Sequence, residues 1–316
     1  MAEPNADVLL VGVAAEVPPI GLEDVPELMS RVDNKYLVTA ATMAALAAEL
    51  SDRFVALEIA GRRQFRYTST YFDTPDLLTF RQHRQDRRRR FKLRTRTYLD
   101  SGDRWLELKL SGARGSTDKH RIPYDDAPDQ TLTREAMDFV RDTLLGGLRL
   151  VAPETLEAVL ATDYKRVTLI DRAGAARLTC DTGLLCRDGQ RDAPARRDLV
   201  LLESKSVDGK ALVDKVLRGM GVRPVTVSKY CVGIAALRGL RANRWQPVLR
   251  SYLVHRPVAG SPRPPSPAPP AVPDRSAPWC QRFPACPGEP AAVASGRTRR
   301  MLTKTDERAV QGPVWK

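Results

Sequence analysis

The sequence predicts an α+β fold in which mostly antiparallel strands carry charged residues on one face, with helices packed outside. Lys, Arg and Glu alternate with other residues in several separate stretches, most clearly at Lys92, Arg94 and Arg96. Short turn signals between strand candidates favour antiparallel hairpins. Helix-like segments interrupt the strands. A sheet of this kind can curl into a barrel around its charged face.

The predicted elements follow one another along the chain. Thr39 is a suitable N-cap for an alanine-rich helix that ends near Leu50. Tyr, Thr and Phe are frequent in the first clear strand, which Asp73-Thr74-Pro75-Asp76 ends. Strands are predicted at 65–73, 88–98, 104–111, 118–124, 164–171, 176–181 and 198–205. Further helices are predicted at 77–83, 133–145, 153–160, 210–220 and 228–240.

Composition divides the chain into three parts. Residues 1–25 contain acidic groups and Pro18-Pro19 but no Lys or Arg, which predicts a flexible leader. Residues 26–250 form the globular domain. Residues 251–316 include a proline-rich run at 262–270, which predicts a disordered tail. The apolar stretches are too short to span a membrane, so we expect a cytoplasmic protein without a transmembrane segment.

The net charge of +13 and the pI near 9.8 predict attraction to phosphate groups. Charge alone does not distinguish nucleic acid, nucleotides, polyphosphate and lipid surfaces. The sequence contains no GxxxxGK[ST] motif, which argues against a P-loop enzyme. None of the three histidines belongs to a motif that suggests a catalytic triad.

Strand periodicity sorts the charged residues onto one face, because residues two apart in a strand point the same way. Glu107 and Lys109 share a face with Trp105, opposite Leu106, Leu108 and Leu110, and the leucines would be buried under helices. Arg177 shares a face with Asp181, as does Glu203 with Lys205. In the arginine run before Lys92, parity points Arg88 and Arg90 inward and Arg87 and Arg89 outward.

A barrel lined in this way would bind a multiply charged anion, since crowded cations repel one another when the barrel is empty. Arginine suits bidentate phosphate contact and lysine a point contact. Carboxylates beside such cations are explained by a divalent metal, Mg²⁺ or Mn²⁺, that bridges them to phosphate oxygens. Glu203 and Glu107 are the candidate ligands. The alternative is that they merely pair with Lys205 and Lys109.

The ordered motifs of residues 28–240 resemble the vacuolar transporter chaperone (VTC) domain, the polyphosphate polymerase branch of the triphosphate tunnel metalloenzymes. The resemblance rests on Arg31-Val32-Asp33-Asn34-Lys35-Tyr36, Tyr71-Phe72-Asp73-Thr74, Lys92-Leu93-Arg94-Thr95-Arg96, Glu107-Leu108-Lys109, Tyr164-Lys165-Arg166, Arg177 with Asp181, Glu203-Ser204-Lys205, and Ser228-Lys229-Tyr230. Each motif alone is weak, whereas their order along the whole globular part is specific.

The resemblance implies an antiparallel tunnel barrel in which a nucleoside triphosphate, ATP, donates its terminal phosphate to inorganic polyphosphate with Mn²⁺ or Mg²⁺ present. Carried over by position, the phosphate-binding catalytic residues are Lys35, Arg94, Arg96, Lys109, Arg166, Arg177 and Lys229. Further substrate contacts are Arg31, Lys92, Lys119, Tyr164, Lys205 and Ser228, and the metal residues are Glu203 and Glu107. Two features depart from the family: Thr226 stands where the eukaryotic polymerases tend to carry a lysine, and no phosphate-sensing or membrane domain is attached.

Three alternatives stay open at this point. Water could accept the phosphoryl group, which would make the protein a tunnel triphosphatase. The basic patch of Arg84, Arg87, Arg88, Arg89, Arg90 and Lys92 could bind nucleic acid, although no aromatic residues interleave with it for base stacking. The same lined barrel could also serve as a catalytically silent polyphosphate or inositol-phosphate sensor. Specific nucleic-acid binding is not expected.

Overall fold

A curved eleven-stranded sheet organises the chain. The computed structural model describes residues 5–26, 32–111, 117–124 and 130–254. The strands are β1 (Pro19–Ile20), β2 (Val32–Thr39), β3 (Phe54–Leu57), β4 (Gln64–Asp73), β5 (Arg90–Tyr98), β6 (Arg104–Ser111), β7 (Thr117–Pro123), β8 (Glu157–Asp171), β9 (Ala176–Arg187), β10 (Asp192–Pro194) and β11 (Leu199–Ser206).

The main path of the sheet runs β2-β11-β9-β8-β4-β5-β6-β7, and every neighbouring pair on it is antiparallel. Strand β1 pairs with β3 in parallel. Among the described residues, β2 and β7 are the ends of this path and do not pair with each other. These findings confirm the predicted α+β class with an antiparallel sheet and helices outside it.

The sheet curls strongly enough to bring distant strands face to face. Five steps of about 4.8 Å separate β11 from β6 along the path, so a flat sheet would hold them roughly 24 Å apart. Burial lowers the pKa of the Lys109 amine on β6. The charge of Glu203 on β11 acts to raise this pKa, and the charge of Lys35 on β2 acts to lower it. Side chains from the two ends of the sheet are therefore near enough for their charges to interact over its concave face, which we call the lumen.

Helices surround the sheet. They are α1 (Ala6–Glu16), α2 (Ala40–Leu50), α3 (Leu78–Arg84), α4 (Arg134–Leu148), α5 (Leu212–Gly219), α6 (Lys229–Arg238) and α7 (Gln246–Tyr252). Of these, α1, α2, α4 and α5 cover its convex face. Helices α1, α2 and α5 share a core with β2, β8, β9 and β11. Helix α4 packs on Leu106, Leu108 and Leu110, all buried, which confirms the prediction that the leucine face lies under a helix. No helix in the described ranges is both long and apolar enough to span a membrane.

Helix α6 closes one end of the lumen instead of covering the convex face. Its apolar residues share a core with side chains of β4, β8 and β11. The ring of Tyr230 stacks on Tyr71 at 5.3 Å between centroids, and its hydroxyl donates to Asp73. Asp73 also accepts hydrogen bonds from the backbone of Thr79 and Phe80 at the start of α3. The first turn of α6 is thereby fixed against the sheet.

The close approach of α6 requires a glycine, and a pair of alanine substitutions tests this. A Cβ atom on Gly233 would lie 2.9 Å from Cys186 Sγ and 3.0 Å from Leu160 Cδ2, whereas one on Gly12 of α1 would meet nothing within 4 Å. Both changes gain about 0.5–1 kcal/mol of helix propensity. We expect Gly12→Ala to raise the free energy of unfolding and Gly233→Ala to lower it, since overpacking costs about 1–3 kcal/mol. Equal gains in urea denaturation would show that α6 can move away from the sheet.

Two sequence-based predictions about the fold are wrong. The flexible leader predicted at 1–25 contains α1, which buries Leu10 and Val13 against α2 because its apolar residues outnumber its charged ones. Asn5 caps this helix by accepting from the backbone of Asp7 at 3.0 Å. The helix predicted at 153–160 does not form: residues 153–156 belong to no helix or strand, and residues 157–160 begin β8, where pairing with β4 overrides a helix-like composition.

The predicted tail from residue 251 lies outside the described residues except for 251–254. There the boundary at 250 cuts through α7, which continues to Tyr252 and buries that side chain. Leu253 forms an isolated bridge with Ala195. The folded part of the chain therefore extends a few residues beyond the predicted domain end.

Candidate active site

The lumen is lined by cations from seven strands and from the first turn of α6. Strand register places them, because alternate residues of each strand face the same side. Lys35 lies opposite Glu203, Arg94 opposite Glu107, and Arg166 opposite Asp181. The lining cations are Lys35, Lys92, Arg94, Arg96, Lys109, Lys119, Arg166, Arg177, Lys205 and Lys229. Three carboxylates among them divide the interior into separate charge clusters.

The most buried cluster joins β8, β9 and α6 through Asp181. Arg166 donates from Nε at 2.6 Å and from Nη2 at 2.9 Å to the two oxygens of this carboxylate. Lys229 pairs with Oδ2, and its ammonium lies 4.4 Å from the ring centroid of Tyr164. Burial acts to raise the pKa of Asp181, but Arg166 and Lys229 outweigh it and hold the pKa at about 2. Asp181 is thus the counter-ion of two buried cations.

A second cluster joins β5, β6 and β7 around Glu107. Arg94 donates to Oε2 of this carboxylate from Nε at 2.8 Å and from Nη2 at 2.5 Å, and its Nη1 donates to Tyr71 at 3.2 Å. The Lys119 ammonium lies 3.9 Å from Oε1. Burial acts to raise the pKa of Glu107, but Arg94, Arg96 and Lys119 bring it well below its usual range. Glu107 therefore stays ionised and orients Arg94 in the lumen.

The third cluster joins β2 and β11 around Glu203. Lys35 donates to Oε1 at 2.7 Å, and the Lys205 ammonium lies 3.6 Å from Oε2. Burial acts to raise the pKa of Glu203, but Lys205, Lys35 and Arg166 lower it well below its usual value. The Glu203 side chain keeps 18% of its surface exposed, compared with 3% for Glu107. Of these two carboxylates, Glu203 is the more accessible from the lumen.

The two predicted metal residues differ in how well they fit a divalent cation. Mg²⁺ binds through one or two carboxylates together with substrate phosphates and waters, so a single accessible carboxylate is a sufficient protein ligand. Glu203 meets this condition, since it is ionised and partly exposed and one of its oxygens has only a long contact. Glu107 fits poorly, because its Oε2 already accepts twice from Arg94 and it is almost fully buried. No group of three or more His, Cys, Asp or Glu residues in the described chain could hold a metal alone.

Tyr164 presents a buried hydroxyl to this array of cations. Its ring stacks on Tyr67 at 5.2 Å, and its hydroxyl oxygen has no hydrogen-bond partner among the described residues. Burial acts to raise the pKa of Tyr164, but Arg96, Arg166 and Lys229 together bring it below its usual value. A phenol in these surroundings is a strong hydrogen-bond donor. It suits an anionic oxygen in the lumen.

Lys92 and Lys109 form a row that makes no direct ion pair with a carboxylate of the described residues. They lie opposite each other on β5 and β6, and Lys109 lies opposite Lys119 of β7. No carboxylate of the described residues lies within ion-pair distance of Lys92 or Lys109. Burial lowers the pKa of Lys92 to about 8, although Cys231 acts against it, and Lys109, Lys35 and Arg90 lower it further. The row is a place where a bound anion would relieve repulsion.

The remaining predicted residues are more peripheral. Arg177 lies opposite Lys205 near one end of the lumen and donates to the backbone oxygen of Pro26 at 2.8 Å. Ser228 is the N-cap of α6 and accepts from the backbone of Cys231. The predicted contact Arg31 lies outside the described residues.

Parity in the arginine run is confirmed for Arg90, which begins β5 and faces the same side as Lys92. The inward prediction for Arg88 is wrong, because the strand begins only at Arg90 and residues 87–89 are exposed. Sequence reasoning also missed Arg244, which approaches Arg90 from a different part of the chain. No periodic pattern surrounds Arg244, so only the tertiary fold reveals it.

Comparisons with known proteins bear on this arrangement. The sequence model of the VTC domain matches residues 30–238. A solved structure from Bacillus halodurans, described as a candidate adenylate cyclase, is 15% identical, with 63% of this chain and 94% of that chain covered and a TM-score of 0.41. A candidate adenylyl cyclase from Hippeastrum, described as having a dominant triphosphatase activity, is 16% identical, with 66% and 97% covered and a TM-score of 0.38. No curated protein matches the chain.

Proposed function

Because this chain belongs to the VTC domain family, we propose that it transfers the terminal phosphate of ATP to a growing inorganic polyphosphate chain in its lumen. The observation that supports this most directly is the lining of the lumen, where ten cations from several strands surround three ionised carboxylates. Phosphoryl transfer requires alignment and neutralisation of developing charge more than covalent help from the protein. The lining supplies both.

The residues divide this work according to their contacts. Arg166 and Lys229 sit beside Tyr164, and this group would bind the oxygens of the phosphoryl group in flight. Arg94, held by Glu107, offers its remaining donor edge to an adjacent phosphate. Glu203 would hold Mg²⁺ or Mn²⁺ together with substrate oxygens. When bound, such an ion neutralises charge on the phosphate oxygens and orients them.

The two histidines of the described residues and Glu203 are poorly suited to activate water, which favours a phosphate acceptor over water. A terminal phosphate oxygen is already anionic at neutral pH, whereas water needs a base to remove its proton. His83 is neutral and fully engaged, with one ring nitrogen 3.1 Å from the Phe91 oxygen and the other accepting from Arg90. His120 pairs with Asp118 on the strand face opposite to Lys119. Glu203 has a pKa too low for an efficient base.

The proposal is tested by the products of the full-length protein incubated with ATP and either Mn²⁺ or Mg²⁺. A polymerase releases ADP without an equal amount of free phosphate and forms chains longer than the donor, which a gel resolves. Equal amounts of ADP and free phosphate would identify a triphosphatase instead. Binding of triphosphate without any turnover would identify a sensor.

Arg96 offers the clearest test of phosphate binding in the lumen. Its guanidinium lies 5.6 Å from the ring centroid of Tyr67, and its hydrogen bond to Ser69 is long at 3.5 Å, so its removal leaves no carboxylate without a direct partner. We expect Arg96→Ala to weaken inorganic triphosphate binding by about 1.5–3 kcal/mol, the usual contribution of a charged hydrogen bond. Calorimetric titration measures this change.

Arg62→Ala is the matched control for Arg96→Ala. Arg62 lies between β3 and β4, and its side chain is 60% exposed and pairs with Asp100 away from the lumen. The control should bind triphosphate like the parent protein. Equal affinities in the two variants would place the Arg96 row outside the phosphate-binding surface.

A further inference from the structure

A basic cavity adjoins the uncompensated lysine row at the end of the lumen near α6. It has a volume of about 150 Å³, and its charged lining consists of Arg90, Lys92, Lys109 and Arg244. Ser228, the N-cap of α6, also lines it. Lys92 and Lys109 line both the lumen and this cavity, so the two spaces are adjacent. We call it the Arg90–Arg244 cavity.

Its charge is unlike that of the rest of the lumen. In the interior, Asp181, Glu107 and Glu203 each neutralise cations directly. At the Arg90–Arg244 cavity, the lysines have no carboxylate within ion-pair distance in the described chain, and Asp86 alone pairs with both arginines. An excess of positive charge in a confined space is unfavourable until an anion enters.

The two arginines are held in place from outside the cavity. Oδ1 of Asp86 lies 3.1 Å from Arg90 Nη2 and 3.0 Å from Arg244 Nη1. Arg244 also donates to the backbone oxygen of His83 at 3.0 Å. Arg90 also donates from Nη1 to the backbone oxygen of Arg87 at 2.5 Å. One N–H on each terminal nitrogen of Arg90 therefore stays available.

His83 fixes the orientation of Arg90. The Phe91 oxygen can only accept, so the Nε2 of His83 that lies 3.1 Å away carries the proton and donates. The Nδ1 atom then accepts from Arg90 Nε at 3.1 Å. Burial and then the charge of Lys92 lower the pKa of His83 to about 2, which keeps the ring neutral and this arrangement intact. A buried polar framework of this kind is a mark of a preorganised anion site.

We propose that the Arg90–Arg244 cavity is a second polyphosphate-binding site, which holds the part of a long chain that extends beyond the reacting phosphates. This inference rests on the proposed function only in that polyphosphate is the polymer produced. A triphosphate can be bound by the interior clusters alone. A longer chain continues along the Lys92–Lys109 row into the cavity, where the two guanidinium groups bind its phosphates by charge-assisted hydrogen bonds.

The test compares two ligands by calorimetric titration of the full-length protein: inorganic triphosphate and long-chain polyphosphate. The variants are Arg90→Gln and Arg244→Gln, which reach the cavity from β5 and from the segment before α7. Each should weaken long-chain binding about 5- to 10-fold, which is less than a charged hydrogen bond usually contributes, because both arginines are partly exposed. Triphosphate binding should change less than about twofold.

Arg250→Gln is the matched control, since Arg250 is an exposed arginine on α7 that does not line the cavity. It should bind both ligands like the parent. Thermal unfolding identifies a variant that is merely misfolded. If one arginine variant is misfolded, the binding data of the other test the proposal.

The second site would be overturned if Arg90→Gln and Arg244→Gln lost affinity for both ligands equally, or lost affinity for neither. The parent protein could also bind long-chain polyphosphate but not triphosphate. If the two arginine variants then lost long-chain binding, the cavity would be upheld and the proposed triphosphate chemistry refuted. Binding of neither ligand by the parent would refute both.

Discussion

Replacing Glu203 by glutamine should strongly reduce turnover while leaving triphosphate binding without metal intact or stronger. Glu203 is the accessible carboxylate of the lumen and the proposed protein ligand of Mg²⁺ or Mn²⁺. Its loss removes electrostatic stabilisation from the transferring group, and we expect the rate to fall on the order of 100- to 1,000-fold. The same change removes a negative charge that repels phosphate and releases Lys35 and Lys205 to bind it. Rate measurements over a range of Mn²⁺ concentrations and metal-free calorimetry test the two parts separately.

Glu107→Gln is the matched comparison, because Glu107 is the other predicted metal residue and carries the same charge. Its contacts make it the counter-ion of Arg94, so we expect Glu107→Gln to lower the free energy of unfolding. The Mn²⁺ concentration that gives the half-maximal rate should change less in Glu107→Gln than in Glu203→Gln. Turnover of Glu203→Gln at the parental rate would remove Glu203 from the metal site. If the Mn²⁺ dependence of the rate were the same in both variants, Glu107 would also belong to the metal site.

Asp181→Asn should destabilise the ligand-free protein and make it unusually dependent on bound triphosphate for stability. Asp181 is 2% exposed and is the direct counter-ion of both Arg166 and Lys229. Removing one partner of a buried ion pair typically costs about 3–5 kcal/mol, because the remaining charges stay buried. Triphosphate would supply the missing negative charge. Urea denaturation with and without ligand should therefore show a larger ligand-induced gain in the variant than in the parent.

The exposed pair between Asp138 and Arg141 on α4 provides the control for Asp181→Asn. Both of its side chains are more than half exposed, at 51% and 58%, so Asp138→Asn should change the unfolding free energy by less than about 1 kcal/mol. If the two asparagine variants lost the same stability, the Asp181 cluster would have to be as well solvated as the protein surface.

Strand periodicity predicted the faces of the charged residues but could not predict their partners. Parity alone placed Glu107 and Lys109 on the face opposite the buried leucines, as the structure has them. Whether a carboxylate binds a metal or a neighbouring arginine depends on register between strands far apart in sequence. Glu107 lies opposite Arg94, and this pairing decides its contacts.

Local composition misled the prediction where tertiary pairing was decisive. Residues 153–160 contain Ala, Leu and Glu, as helices often do, yet from Glu157 onward they form a strand between β4 and β9. Propensity is a weak preference that sheet pairing overrides. The Arg90–Arg244 cavity was likewise invisible to pattern reasoning, because Arg244 follows no strand or helix period. It meets Arg90 through Asp86 and His83, which only the tertiary fold brings together.

Helix α1 has a consequence for how this protein should be divided. The family match begins at residue 30, yet α1 lies before it and packs on the convex side of the sheet. Asp7 pairs with Lys165 at 2.5 Å and accepts from Thr182 at 3.0 Å, and Lys165 is the chain neighbour of Tyr164 and Arg166. A protein shortened to the matched region would expose the apolar surface of α2 and loosen the strand that carries two lumen residues. The region that the family model matches is therefore shorter than the region that folds together.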